Sequence, residues 1–153
     1  AALTQAGAKP AGLFAQTSMR IEKGFAAMGH ELDSDVSPVA VGMAGMAKKS
    51  GGFIGAEALA HHAKSETLSM VTLLLDDDAA VPIGHEPVYL DGKIIGQTTS
   101  AAYGYRVGAP IALAHVSDVQ DGAAIMLDIA GVKVPGRMLV GPAFDPSGQR
   151  MRP

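Results

Sequence analysis

The feature that most constrains this chain is a change of period near residue 66. Before it, apolar residues recur at helical spacing; after it they come in short runs separated by tight turns. The strongest local signal is Pro87-Val88-Tyr89-Leu90, then Asp91-Gly92, then Lys93-Ile94-Ile95-Gly96. Asp-Gly between two apolar runs predicts a hairpin closed by a type I′ turn, because both central residues need positive φ. Further strands are expected at 68–75, 97–101, 111–116, 124–129 and 132–140, with Gly131 marking another tight turn within 128–133. About six short strands joined this tightly predict a small antiparallel barrel over residues 66–153.

Residues 1–65 read differently, and the fold class is therefore α+β: a short helical N-terminal segment followed by the barrel. Residues 3–8 form a short apolar stretch that Pro10-Ala11-Gly12 interrupts. Helical spacing resumes over 13–29, with Leu13, Phe14, Met19, Ile21, Phe25 and Met28 as expected buried positions. Gly24 lies inside that stretch and costs about 1 kcal/mol relative to Ala in a straight helix. Asp33-Ser34-Asp35 reads as a polar loop. A Gly-rich turn at 51–55 opens a helix that carries His61 and His62.

With 48% hydrophobic and 18% charged residues, the chain can build a packed core, and 5% aromatics leave Ala, Val, Ile, Leu and Met to fill it. A net charge of -3 without a block of either sign gives no nucleic-acid surface. The absence of Cys rules out disulfides, thiolate metal sites and a Cys nucleophile, and fits a cytoplasmic protein. No apolar run approaches the roughly 18 residues that would span a bilayer, so no membrane partner is expected. The chain opens on Ala1-Ala2-Leu3, already helical in pattern, and reads as a cut rather than a natural start.

Candidate chemical motifs are few. His61 and His62 are adjacent and point about 100° apart on a helix, while His30, His85 and His115 lie in unrelated segments, so no metal site is expected. Asp76-Asp77-Asp78 reads as a solvated turn, and Gly42-Met43-Ala44-Gly45 lacks the strand–helix frame of a dinucleotide loop. Arg150 and Arg152 read as a solvated tail. Tyr103-Gly104-Tyr105-Arg106-Val107-Gly108 is more informative. Two rings and a guanidinium between glycines, linking two strands, suit a carboxylate-bearing ring ligand or a domain interface, or else a loop that caps its own barrel.

An ordered set of segments resembles the glycine-cleavage T-protein family. Ser18-Met19-Arg20-Ile21-Glu22-Lys23-Gly24-Phe25 and Gly29-His30-Glu31-Leu32 are similar to its Arg-x-Glu helix and the stretch that follows, and Ser37-Pro38 to the next turn. Phe53-Ile54-Gly55-Ala56-Glu57-Ala58-Leu59 resembles its Phe-Ile-Gly-Arg-Glu-Ala-Leu motif. Gly84-His85-Glu86-Pro87-Val88-Tyr89, Thr98-Thr99-Ser100, the Tyr103–Gly108 loop and Ile111-Ala112-Leu113-Ala114-His115-Val116 resemble successive parts of its C-terminal barrel. Glu22-Lys23-Gly24-Phe25, the Tyr-Gly-Tyr-Arg loop and the ending Phe144-Asp145-Pro146-Ser147-Gly148-Gln149-Arg150-Met151-Arg152 look most like the copy fused to sarcosine and dimethylglycine dehydrogenases.

The resemblance implies a three-lobed enzyme with tetrahydrofolate in its central hole, capturing a one-carbon unit that leaves an amine. Residues 1–65 would be the end of the second lobe and 66–153 the third. The catalytic Asp of the family would lie upstream of Ala1, so no catalytic residue is assigned here, and FAD would belong to an N-terminal domain of the parent. Arg20, Glu22, Tyr105 and Arg106 are the expected folate-binding or lobe-interface residues; the expected partners are the remaining lobes or a partner subunit. Three positions depart from the family: Gln16 and Ala56 stand where it carries Arg, and Ala40 where it carries an acid. Losing a charge-assisted Arg contact weakens binding by roughly 1.5–3 kcal/mol. A second class therefore stays open, a non-catalytic barrel module for domain or subunit contact.

Overall fold

The computed structural model describes residues 1–47 and 50–152; Lys48, Lys49 and Pro153 lie outside the described residues. Among the described residues three α-helices precede the strands, α1 (Ala2–Gln5), α2 (Leu13–Glu22) and α3 (Ala56–Ser65), with a short 3-10 turn at Ala44–Met46 between the last two. Six strands follow: β1 (Ser69–Leu75), β2 (Pro87–Leu90), β3 (Lys93–Gly104), β4 (Ala109–Val116), β5 (Ala124–Ile129) and β6 (Val132–Leu139). They close into a barrel in the order β1-β4-β3-β2-β5-β6, and every pairing, including β6 back to β1, is antiparallel. The α+β architecture expected from the sequence is what forms. The stretches expected as separate strands at 93–96 and 97–101 are one continuous strand, β3. Among the described residues no helix is long and apolar enough to cross a membrane.

Turn chemistry sets the register. Asp91 and Gly92 have φ of 49° and 77°, the paired positive values that a type I′ turn demands. The β5–β6 turn repeats the solution at Ala130 and Gly131, with φ of 51° and 87°. Closure buries one core of Val71, Leu73, Leu75, Val88, Leu90, Ile95, Ile125, Leu127 and Met138 with their neighbours. Each such aliphatic side chain contributes about 1.5–3 kcal/mol of transfer free energy.

β4 is buried on both faces. Ala112, Ala114 and Val116 point into the barrel, while Ile111 and Leu113 form a second cluster outside it with Ile21 of α2. The face that α2 turns to the barrel is Ser18, Ile21 and Glu22, at the i, i+3, i+4 spacing of one helical stripe. Of the six positions expected to be buried, only Ile21 is. Leu13, Phe14, Met19, Phe25 and Met28 are exposed, Phe14 at 93%. The helix docks through polar anchors instead: Ser18 Oγ donates to the Tyr103 carbonyl at 2.7 Å, and the Glu22 carboxylate accepts from the β3–β4 loop. Gly24 does not interrupt the helix but follows it, with φ of 66° and its N–H bonded to the Ile21 carbonyl.

Candidate functional site

The site begins with a β-bulge. The β3–β4 register shifts between Thr98 and Ser100, so Thr99 is an extra residue in β3. Successive strand residues ordinarily face opposite sides of a sheet; the bulge re-aims two neighbouring hydroxyls at one point. Thr99 Oγ1 lies 2.8 Å and Ser100 Oγ 2.5 Å from the same oxygen of Glu31. Glu31 is fully buried. Its other oxygen accepts from the Ala27 N–H at 2.9 Å and from Arg20 Nη1 at 2.7 Å. Arg20 also donates to Ser100 Oγ at 2.7 Å, which closes the network. Burial alone would push the Glu31 carboxyl up. The hydrogen bonds from Ser100, Ala27 and Thr99, together with the Arg20 charge, outweigh it and hold the group below its ordinary value.

Beside this network lies a cavity of about 460 Å³. The polar face of α2 forms its floor and the C-terminal segment its outer wall. Met19, Phe25, Phe144 and Met151 supply apolar surface; Gln16, Arg20, Glu22, Lys23, Arg106, Asp145 and Arg150 supply polar groups. The outer wall is tied down twice. The Phe144 N–H donates to the Glu22 carbonyl at 2.9 Å. Lys23 Nζ meets Asp145 Oδ2 at 2.8 Å and also donates to the Asp145 carbonyl. The Arg106 and Arg150 guanidinium carbons lie 5.8 and 5.3 Å from the centre of the Phe144 ring, within cation–π range. Among the described residues neither of these guanidiniums is paired with a carboxylate.

Of the four expected site residues, Arg20, Glu22 and Arg106 line this cavity and Tyr105 does not. Tyr105 is 79% exposed, stacks edge-on against Tyr103 at 5.2 Å, and borders an adjoining groove with Phe14, Met19 and Arg106. Arg20 contributes its flank, since its guanidinium is spent on Glu31 and Ser100. Gln16 lines the cavity, whereas Ala56 heads α3 and is not part of the lining. Arg150, read from sequence as part of a solvated tail, is exposed as expected and also lies over the Phe144 ring. Lys23, Phe144, Asp145 and Met151 were not singled out as site residues, and Glu31 with its bulge partners was not singled out either. The Lys-Gly-Phe and Phe-Asp-Pro segments were visible, but nothing in a linear sequence shows that its two ends meet.

Two family descriptions match the chain: the glycine cleavage T-protein C-terminal barrel domain over residues 69–145, and the GCVT N-terminal domain over residues 1–51. An aminomethyltransferase of Thermus thermophilus is 36% identical over 137 residues, which is 90% of this chain and 38% of that protein. Mitochondrial dimethylglycine dehydrogenase of Homo sapiens is 31% identical over 92% of this chain and 17% of its own length. The glycine cleavage system aminomethyltransferase T of Bartonella henselae superposes with a TM-score of 0.84 at 21% identity, over 95% of this chain and 44% of that one. That likeness bears on the fold. The chain thus spans less than half the length of each of these proteins.

Proposed function

Because this chain belongs to the glycine cleavage T-protein family, we propose that it is the C-terminal portion of a tetrahydrofolate-dependent one-carbon transferase, of the kind joined to amine-demethylating dehydrogenases. Residues 1–65 complete a central lobe and residues 66–153 form the third. The observation that carries this reading is the cavity against α2: apolar on Met19, Phe25 and Phe144, and edged by two guanidiniums that pair with no carboxylate among the described residues. Those features suit a flat heterocycle with an acidic tail. Arg106 and Arg150 would hold the carboxylates, because a guanidinium donates two parallel N–H bonds to such a group. Phe144 and Met19 would flank the rings and exclude water.

When bound, tetrahydrofolate supplies the amine that captures the one-carbon unit. The contribution of this chain is positional: it holds that amine beside the reacting carbon, so that capture outruns loss of formaldehyde. No residue of this chain is assigned a catalytic role. That role, and the flavin of a dehydrogenase-type parent, belong to other lobes and domains. The exposed apolar face of α2, at Leu13 and Phe14, is where those lobes or a partner subunit would pack. A cytoplasmic location remains part of this reading.

Gln16 on the cavity wall favours a second reading, a barrel module that keeps the contact surface and has lost folate affinity. Calorimetric titration of tetrahydrofolate into the full protein that carries this chain separates the two. Saturable heat, weakened by Arg106→Ala, is the expected result. A flat titration, with no folate-dependent amine demethylation or aminomethyl transfer, would sink the transferase reading.

A further inference from the structure

We infer that Glu22 is a positioning residue that sets both halves of the Arg106–Phe144 stack at the cavity mouth. This rests on the folate reading for its ligand, but its geometry stands apart from it. Glu22 is 2% exposed, and a buried carboxylate must find donors. It finds them in the loop between β3 and β4: Oε1 accepts the N–H of Arg106 at 2.6 Å and of Val107 at 3.0 Å. The loop is otherwise held by the half-buried Val107 side chain, which packs against the Ile21 cluster. Tyr105 and Arg106 are exposed, and its other backbone tie is Gly108 N–H to the Gly104 carbonyl at 2.6 Å.

The main chain of the same residue holds the other half. The Glu22 carbonyl accepts the Phe144 N–H at 2.9 Å. One residue at the C-terminal end of α2 therefore fixes the loop that presents Arg106 with its carboxylate, and the segment that presents Phe144 with its carbonyl. Gly104 makes room for this arrangement, since a Cβ there would lie 3.2 Å from Glu22 Oε1 and 3.2 Å from the Ala109 carbonyl. A carboxylate gripping consecutive backbone N–H groups is a charge-assisted contact, stronger than a neutral one. Its loss frees the loop and with it the direction of the Arg106 guanidinium, without removing any group that touches ligand.

The test uses the full protein that carries this chain, with Glu22→Gln and Glu22→Ala. It reads amide hydrogen exchange at Arg106 and Val107, and tetrahydrofolate affinity by calorimetry. Gln keeps an acceptor, so Glu22→Gln should stay within a few-fold of wild type in both. Glu22→Ala should expose both amides to fast exchange and weaken folate binding by about tenfold, as a raised KM with kcat retained at saturation. In an Arg106→Ala background Glu22→Ala should then add little, because the effect runs through Arg106. Should Glu22→Ala not fold, Glu22→Asp, which withdraws the carboxylate by one methylene, takes its place. Unchanged exchange overturns the inference, as does a loosened loop with unchanged affinity. An equal loss in the Gln and Ala variants also overturns it, since that would mean direct contact of the charge with ligand. If wild type takes up no folate, the functional reading fails, and the exchange measurement still decides whether Glu22 holds the loop.

Discussion

Arg20 and Glu31 meet at 2.7 Å across a turn of the chain, with the carboxylate fully buried and the guanidinium side chain 15% exposed. The pair joins α2 to the segment behind it, and through Ser100 joins both to the barrel wall. Removing one partner leaves a buried charge without compensation. Arg20→Met should therefore destabilise the fold by about 3 kcal/mol in urea denaturation. Arg20→Met combined with Glu31→Gln should cost clearly less than the sum of the two changes. Strict additivity would show that the two residues act independently.

Stability should fall in two windows as the solution is acidified. Burial lowers the His115 pKa below 6.5, against the opposing pull of Glu31, Asp33 and Glu66. Its contribution is thus complete above 6.5 and is lost as pH falls from there towards the depressed folded value. Glu31 sits below 4.5, so its contribution is complete above 4.5 and disappears at lower pH. Denaturation midpoints measured across pH should show both declines. His115→Leu should remove the upper one and Glu31→Gln should flatten the lower one.

The β5–β6 turn offers a gain. Ala130 is exposed and held at φ 51°, a left-handed conformation that costs an L-residue about 1–2 kcal/mol. Asn tolerates that region, and Ala130→Asn should raise stability by about 1 kcal/mol. Calorimetric melting would show it; a lowered midpoint would mean that the alanine is not strained.

Folate affinity should respond to the cavity wall. Gln16→Arg supplies a cation where the family carries one, and should tighten tetrahydrofolate binding by about tenfold in calorimetry. Phe144→Ala should weaken it by a similar factor, because the ring is both an apolar wall and the platform for Arg106 and Arg150. Identical affinity in both variants would remove this cavity from consideration as the folate site.

A substitution at Gly96 tests the barrel itself. A Cβ there would collide with the His115 carbonyl and crowd Val116 Cα at 2.8 Å, all of it backbone that cannot turn aside. Gly96→Ala should cost at least about 3 kcal/mol, at the upper end for overpacking, or prevent folding altogether. Soluble protein with an unchanged melting temperature would mean that β3 and β4 do not approach as described.

These residues also show what a linear reading can reach. The Asp91-Gly92 turn was legible because its geometry is chosen by two residues in contact along the chain. The barrel followed from repeated short runs of the same kind. The burial of α2 was legible only at Ile21, because its other large apolar side chains face outward and its docking also rests on Ser18 and Glu22, whose partners lie more than 80 residues away. The Thr99 bulge leaves no mark on composition or period, since an extra residue in a strand looks like any other until its partner strand is known. Arg20 and Glu22 were singled out through family resemblance, and Arg106 already from its place between the glycines of the Tyr103–Gly108 loop; all three line the cavity. Phe144 and Arg150 came into view only when the chain's two ends met.

That meeting has a consequence for synthesis. Lys23 finds Asp145 only after 122 further residues have been added, and the intervening chain must first close the barrel that brings them together. Contacts of such separation form late, because the loop-closure entropy precedes any reward. During translation α2 emerges before the barrel strands and waits with its polar anchors unsatisfied. The cavity forms after the barrel, so a nascent chain stalled between Leu139 and Phe144 would have all six strands but no outer cavity wall, and that interval is when the segment would be most open to chaperones and proteases.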